Sequence, residues 1–280
     1  MKLGLTTASF DTAISGGRTN LVKIIESAGN LGFEGLEIIN TKDAWRKDIS
    51  DDIKVNLVRM REKKQRYFAY GVSFDLAISD DTLRWRMMNK VREAILLASV
   101  TNVSCVTLYG CLKEEGATFA ERKDVLVKTI KDCLDLAEMK HVTLCLANDN
   151  LKLNGIANLK AVAEEVNSPA FKLCLDLAEI VCGDENPAEA LKTLAPYVAQ
   201  VLATDVKETE EESERTVVTP SGKKLEPCAA GEGIVPIAEC ISLLRQLSFE
   251  GFVSVYYKGS EEPSEGVKRC AENLKKLLSE

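Results

Sequence analysis

The sequence predicts one (β/α)8 barrel that spans residues 1–280. Three observations predict it: eight short β-rich runs recur along the chain, apolar stripes with helical spacing lie between them, and 280 residues suit one such domain. Strands that alternate with helices pair in parallel, and eight such units match a closed barrel better than an open sheet. The alternative is a doubly wound sheet, but no GxGxxG or GxxxxGK[ST] phosphate loop follows the first run.

The eight predicted strands cover residues 2–7, 35–39, 70–76, 104–110, 141–147, 171–176, 198–205 and 252–257. The segments between them have helical periodicity. After the first strand, for example, one helix face combines Leu21, Ile24, Ile25, Ala28 and Leu31. Gly32 follows that stripe directly, and a glycine at this position is a common helix terminator.

Composition excludes several classes of function. The chain is 45% hydrophobic and 28% charged, as in ordinary globular proteins. Its net charge of -7 disfavours nucleic acid as a partner, because such binding rests on neutralising phosphates with Lys and Arg. The N-terminus lacks the apolar stretch of a signal peptide, and no apolar run is long enough to span a bilayer. We therefore expect a cytoplasmic protein with no membrane partner.

The nine cysteines are expected to be reduced and buried. Their number is odd, none forms a CxxC pair, and most lie within apolar strands and helices. This pattern argues against a disulfide framework and against a thiolate zinc site.

In a barrel of this kind the active site lies at the C-terminal ends of the strands. The residues that the strand ends offer are Glu37, Ala147, Asp149, Asp176, Glu179, Leu202, Thr204, Asp205 and Tyr256. Side chains alternate along a strand, so we expect Cys174 to share the inward phase of Asp176, and Cys145 that of Ala147. The single histidine, His141, opens its strand about 20 Å from that strand's C-terminal end, which leaves no imidazole for the site.

The longest polar connection, "KETEEESERTVVTPSGKKLEP" at residues 207–227, follows the seventh predicted strand. It therefore lies on the functional face, where loops of this length are often lids or binding loops. "TPSGKK" predicts a turn at its tip, so one expectation is a hairpin over the pocket. The alternative is a solvated loop without a ligand.

Several strands resemble the xylose isomerase-like barrels, the sugar-phosphate isomerase/epimerase superfamily. The resemblance covers nearly the whole chain and is carried by "LGLTTASF", "LGFEGLEI", "VTLCLAND", "KLCLDLAE", "VLATDVK" and "AAGEGIVPIAECISLLRQLSFEGFVSVYY". The last stretch is the most specific. It contains the glycine-glutamate-glycine turn of the family (231–233) and the glycine-aromatic step (251–252) that leads into the final strand.

The resemblance implies a site for one divalent metal, held by two glutamates, an aspartate and a histidine at strand ends. Those positions hold Ala147, Asp176, Leu202 and Tyr256 here, so one ligand of the four is present. A further family histidine, three residues after the aspartate, is Glu179. In the epimerases of the family the two glutamates are also the acid and the base. We therefore expect no cofactor and no inherited metal site, and the catalytic residues cannot be assigned.

Two alternative hypotheses describe a catalytically active protein. In the first, carboxylates from other strand ends rebuild a divalent metal site, which would give a metal-dependent sugar isomerase; the candidates are Glu37, Asp149, Asp176, Glu179 and Asp205. In the second, a metal-free enzyme uses Lys207 as electrophile or amine, Tyr256 as hydroxyl donor, and Asp176 or Glu179 as a base whose pKa is raised by burial near other carboxylates. Each candidate also has a structural explanation, since Tyr256 can fill volume, Lys207 can be solvated, and Asp176 can cap backbone amides.

The function that we expect is an isomerase/epimerase-like protein of carbohydrate metabolism, with activity changed or lost. It would bind a small sugar or polyol-type ligand at the C-terminal face of the barrel. The predicted binding residues are Glu37, Asn148, Asp149, Asp176, Glu179, Asp205, Lys207 and Tyr256. The alternative is a non-catalytic subunit that senses a ligand or binds a partner. Barrels of this kind often dimerise, so a homodimer is a further expectation.

Overall fold

A computed structural model describes residues 1–40, 60, 62, 64–153 and 155–279. Eight parallel strands close into a barrel in the order β1-β11-β7-β6-β5-β4-β3-β2, which confirms the predicted (β/α)8 fold. The barrel strands are β1 (Lys2–Thr6), β2 (Gly35–Asn40), β3 (Arg66–Ser73), β4 (Cys105–Tyr109), β5 (Thr143–Ala147), β6 (Phe171–Asp176), β7 (Val198–Ala203) and β11 (Phe252–Val255).

The described helices follow the strands along the chain. They are α1 (Asp11–Ser15), α2 (Leu21–Asn30), α3 (Asp81–Thr101), α4 (Phe119–Met139), α5 (Ile156–Val166), α6 (Leu177–Cys182), α7 (Pro187–Leu194), α8 (Ile237–Gln246) and α9 (Pro263–Ser279). Their starts follow local capping rules. Asn20 accepts a backbone N–H at the start of α2, and Thr118 and Glu121 form a capping box at the start of α4. In the described part of the chain, no helix is long and apolar enough to cross a membrane.

The third strand begins at Arg66, so the predicted start at residue 70 was wrong. Tyr67 and Phe68 are buried, and the Phe68 ring stacks on Phe252 inside the barrel with 3.9 Å between ring centroids. The predicted end was also wrong, because residues 74–76 leave the sheet. There the Asp75 carboxylate accepts backbone N–H groups from Leu112 and from the two residues after it, which organises the loop after β4.

The inside of the barrel carries the apolar cluster that side-chain alternation predicts. Cys145, Ala147, Cys174 and Leu202 are buried together, and Tyr256 packs against them. All nine cysteines are free thiols, and all except Cys105 and Cys228 are buried. The sequence-based expectation of reduced, packed cysteines therefore matches the structure.

The polar connection after β7 forms a separate three-stranded antiparallel sheet. Its strands are β8 (Asp205–Glu208), β9 (Val217–Val218) and β10 (Lys224–Cys228), in the order β8-β10-β9. The turn predicted at "TPSGKK" lies between β9 and β10, with Gly222 at a φ of +89°. The Ser221 backbone N–H and hydroxyl both donate to the Asp184 carboxylate, at 2.6 and 2.8 Å, and tie this tip to the loop between α6 and α7.

Candidate functional site at the C-terminal end of the barrel

An ion-pair cluster lies at the end of β6 and is made of Asp176, Glu179 and Lys258. Lys258 follows β11, and its Nζ lies 2.8 Å from Asp176 Oδ2 and 3.0 Å from Glu179 Oε1. Asp176 is also the N-cap of α6, because its Oδ1 accepts the Glu179 backbone N–H. Asp176 and Glu179 are thus close in sequence and lie together at the start of α6. The Lys258 ammonium reaches them through the tertiary structure.

Further hydrogen bonds fix the position of Asp176. The Asn148 side chain donates to the Asp176 carbonyl at 3.1 Å and accepts its backbone N–H at 2.7 Å, which joins β5 to β6. The Thr204 hydroxyl donates to Asp176 Oδ1 and accepts the Ala178 backbone N–H. The amide oxygen and nitrogen of Asn148 thus both bond to the backbone of Asp176, and its role in ligand binding stays a prediction.

Electrostatics keep Lys258 charged. Burial opposes the charge, yet Asp176 and Glu179 together raise the pKa of Lys258 well above its ordinary value. Burial raises the pKa of Glu179, and the Lys258 ammonium counteracts part of that shift. The cluster therefore presents a permanent ammonium group, which donates hydrogen bonds but is not a nucleophilic amine at neutral pH.

The ring of Tyr256 lies against the ammonium, with Lys258 Nζ 4.7 Å from the ring centroid, a cation–π contact. The ring also packs against the buried apolar cluster that contains Ala147 and Leu202. Burial raises the pKa of the Tyr256 hydroxyl to about 12, so it is a neutral donor near pH 7. Tyr256 thus supplies both volume and a hydroxyl at this position.

Glu37 lies inside the barrel, apart from the ion-pair cluster. Its Oε2 accepts hydrogen bonds from Thr6 (2.8 Å), Tyr109 (2.9 Å) and Gln200 (3.2 Å). Gln200 precedes Leu202 by two residues on β7, so Glu37 contacts the layer below the strand ends. Its Oε1 has no hydrogen-bond partner among the described residues, and burial raises its pKa.

The remaining predicted residues form other contacts. Asp149 Oδ2 accepts the Gly110 backbone N–H at 2.8 Å and lies 3.4 Å from Lys113 Nζ. Asp205 accepts the backbone N–H groups of Val206, 231, 233 and 235 and so holds the glycine-glutamate-glycine turn. Lys207 is exposed on the three-stranded sheet, opposite Glu226. The structure therefore unites Asp176, Glu179 and Tyr256 and leaves Asp205 and Lys207 in other roles.

Sequence reasoning missed Lys258. The signal was present, because Lys258 follows Tyr256 by two residues and so has the same alternation phase as a residue that was expected to face the site. Lys258 lies just past the last residue of the predicted strand. The cation that was predicted instead, Lys207, is close in sequence to β7 but lies on the separate sheet.

A cleft of about 510 Å³ opens beside the cluster. Its walls include Ser9, Asp11, Arg18, Arg215, Tyr256 and Lys258. Arg18 forms an ion pair with Glu262, which also lines the cleft together with Glu261. Three cationic side chains therefore face three acidic ones, and the cleft has no strong excess of either charge. Arg215 belongs to the polar connection 207–227, which therefore forms part of the cleft wall.

The residues present do not fit the metal site that the resemblance implies. Ala147 and Leu202 are fully buried apolar side chains, and an aromatic ring stands at the fourth position. Within the described ranges, no group of three or more His, Cys, Asp or Glu side chains is arranged to hold a metal ion. Hard divalent ions prefer several oxygen ligands, and Asp176 alone does not supply them.

Comparisons with known proteins agree with this architecture. The sequence profile of the xylose isomerase-like TIM barrel family matches residues 25–277. No protein of curated function matches the sequence significantly.

Three solved structures illustrate the shared fold. The probable 3-DHS dehydratase AsbF of Bacillus anthracis is 18% identical with a TM-score of 0.79, over 98% of this chain and 99% of that one. The IOLI protein, with a bound zinc atom, is 16% identical with a TM-score of 0.82, over 100% and 98%. D-allulose 3-epimerase of Methylomonas sp. is 18% identical with a TM-score of 0.77, over 99% and 98%. Because the profile covers most of the chain, the protein belongs to the xylose isomerase-like TIM barrel family.

Proposed function

We propose that the protein binds a small, uncharged sugar or polyol-type ligand in the cleft at the C-terminal end of the barrel. The observation that carries this proposal is the set of polar groups on one side of the cleft, where Lys258, Tyr256 and Ser9 stand beside the strand ends. Ligands of (β/α)8 barrels bind at this end. The structural neighbours include enzymes of small sugars, among them the allulose epimerase.

The charges of the cleft favour an uncharged ligand. Most of these charges are already paired within the protein, because Arg18 contacts Glu262, Lys258 contacts Asp176 and Glu179, and Glu261 contacts Arg269. A phosphorylated sugar would need a surplus of cationic donors, whereas hydroxyl groups are recognised by mixed donors and acceptors of this kind.

The geometry favours binding with altered or lost catalysis. Moving a proton beside a carbonyl needs a base and a group that stabilises the developing oxyanion. Lys258 can donate to an oxygen, but Asp176 and Glu179 are both held by the ammonium, and the positions of the family acid and base are Ala147 and Tyr256. A ligand-sensing or partner-binding subunit is therefore the second candidate, favoured by this missing acid–base pair.

Thermal unfolding in the presence of sugars tests the proposal. The panel contains D-allulose, D-fructose and myo-inositol as neutral ligands and glucose 6-phosphate as a charged one. We expect a saturable rise of Tm with at least one neutral ligand, because a ligand that binds the native state stabilises it. The rise should be smaller in Tyr256→Phe, which lacks the hydroxyl, and unchanged in Lys160→Ala on the surface of α5. A Tm that no sugar raises, together with co-purification of a protein partner, would favour the second candidate.

A further inference from the structure

We propose that the Lys258 ammonium takes the place of the divalent cation in this chain and offers a hydrogen bond to a ligand oxygen. The ammonium lies between the carboxylates of Asp176 and Glu179 and against the Tyr256 ring, as the distances above show. One of these carboxylates, Asp176, is the single family ligand that the sequence retains. The cation that neutralises it is part of the chain.

The contacts of Asp176 leave little room for a second cation. Its Oδ2 bonds to Lys258, and its Oδ1 accepts both the Thr204 hydroxyl and the Glu179 backbone N–H. A divalent ion at this carboxylate would have to displace the ammonium or stand beside it. Like charges a few ångströms apart repel strongly in a partly buried site, so the two cations exclude each other.

The Lys258 ammonium has one further N–H group that can donate a hydrogen bond to a ligand. A lysine ammonium carries three N–H groups, and two of them are used by Asp176 and Glu179. The Lys258 side chain is 25% exposed and lines the cleft, so the third N–H is within reach of a bound molecule. The matching ligand atom is a carbonyl or hydroxyl oxygen. This part rests on the proposed function, whereas the exclusion of a metal does not.

The first experiment is a calorimetric titration of chelator-treated protein with Mn²⁺ and with Zn²⁺. We expect no binding tighter than roughly millimolar in the native protein. A restored protein, in which Ala147→Glu, Leu202→His and Tyr256→Glu put the metal ligands of the family back, is compared with the same protein that also carries Lys258→Met. We expect the protein without the lysine to bind metal about tenfold more tightly or better, because the competing charge is gone.

Two results of these titrations would overturn the proposal. One is micromolar metal binding by the native protein that Asp176→Ala abolishes, since the carboxylates would then hold a metal together with the lysine. The other is equal metal affinity of the restored protein with and without Lys258. Neither result depends on a sugar, so failure here is distinguishable from failure of the proposed function.

A second experiment does not depend on the folding of the restored protein. In Lys258→Ala the two carboxylates lose their cation, and methylammonium chloride should raise the Tm of this variant saturably. Lys160→Ala, which loses one exposed ion pair on α5, should show only the response of the native protein. Sodium chloride at equal ionic strength separates specific binding from screening. Equal responses of both variants to methylammonium would contradict an ammonium site between Asp176 and Glu179.

Discussion

At the scale of single residues, Glu37 shows how the inside of the barrel treats a carboxyl group. It is fully buried, three donors bond to Oε2, and burial raises its pKa above the ordinary 4.5. A group whose pKa is higher in the folded than in the unfolded state stabilises the fold while it is protonated. That contribution is complete below pH 4.5 and is lost as the pH rises through the folded-state pKa.

The variant Glu37→Gln is expected to remove this pH dependence. As the pH rises above 4.5, the free energy of unfolding of the native protein should fall by up to about 1.4 kcal/mol per pH unit from this group, until the folded-state pKa is passed. The variant should lack that part of the slope, because its amide does not titrate. Urea unfolding at several pH values measures it, with the exposed Glu272→Gln as control. Parallel pH profiles of native protein and Glu37→Gln would show that Glu37 does not titrate in this range.

At the scale of elements, the turn before α8 depends on a glycine and on one carboxylate. Asp205 accepts four backbone N–H groups, three of them from residues 231–235. A Cβ at position 233 would lie 2.2 Å from the Val206 carbonyl oxygen and 2.3 Å from Asp205 Oδ1. The backbone at position 233 packs so closely against Val206 and the Asp205 carboxylate that no side chain fits there.

Gly233→Ala is expected to destabilise the protein by about 2 kcal/mol or more, because the turn must move away from Asp205 and lose hydrogen bonds. Chemical denaturation measures the loss. Gly155→Ser is the matched control, since its added Cβ meets nothing closer than 3.5 Å and serine is a good N-cap for α5. Equal stability of the two variants would refute the steric argument.

At the scale of the whole molecule, the site exists because the sheet places the ends of β6 and β11 on either side of β7. Lys258 follows β11 and Asp176 ends β6, with β7 between these strands in the sheet. The ion pair thus joins the two strands that flank β7, where Leu202 is the register partner of Asp176. Residues 82 positions apart in the chain therefore meet through the tertiary structure.

Lys258→Met is expected to lower the free energy of unfolding by about 3 kcal/mol at neutral pH, because it leaves the buried Asp176 and the partly buried Glu179 without their cation. Lys258→Arg should recover part of the loss, since a guanidinium keeps the charge but differs in shape. Denaturant midpoints of both variants are compared with Lys160→Met on α5. A loss of under about 0.5 kcal/mol for Lys258→Met would mean that the pair behaves as a surface contact.

The barrel and the inward phase of Cys145, Ala147 and Cys174 could be predicted from the sequence alone. They follow from local periodicity, which needs no knowledge of long-range contacts. The bounds of β3 were missed because its buried start and its exit from the sheet depend on neighbours such as Phe252 and Leu112.

Which charged groups meet could not be predicted from the sequence and is seen in the folded structure. Lys207 and Lys258 are equally plausible cations in the sequence, but one lies on the separate sheet and the other bonds to Asp176. Asp205 looked like a ligand-binding carboxylate, yet four backbone donors hold it. Charge pairing acts through space over a few ångströms, and the distances across the barrel mouth are set by strand register and loop paths that residue identity alone does not encode.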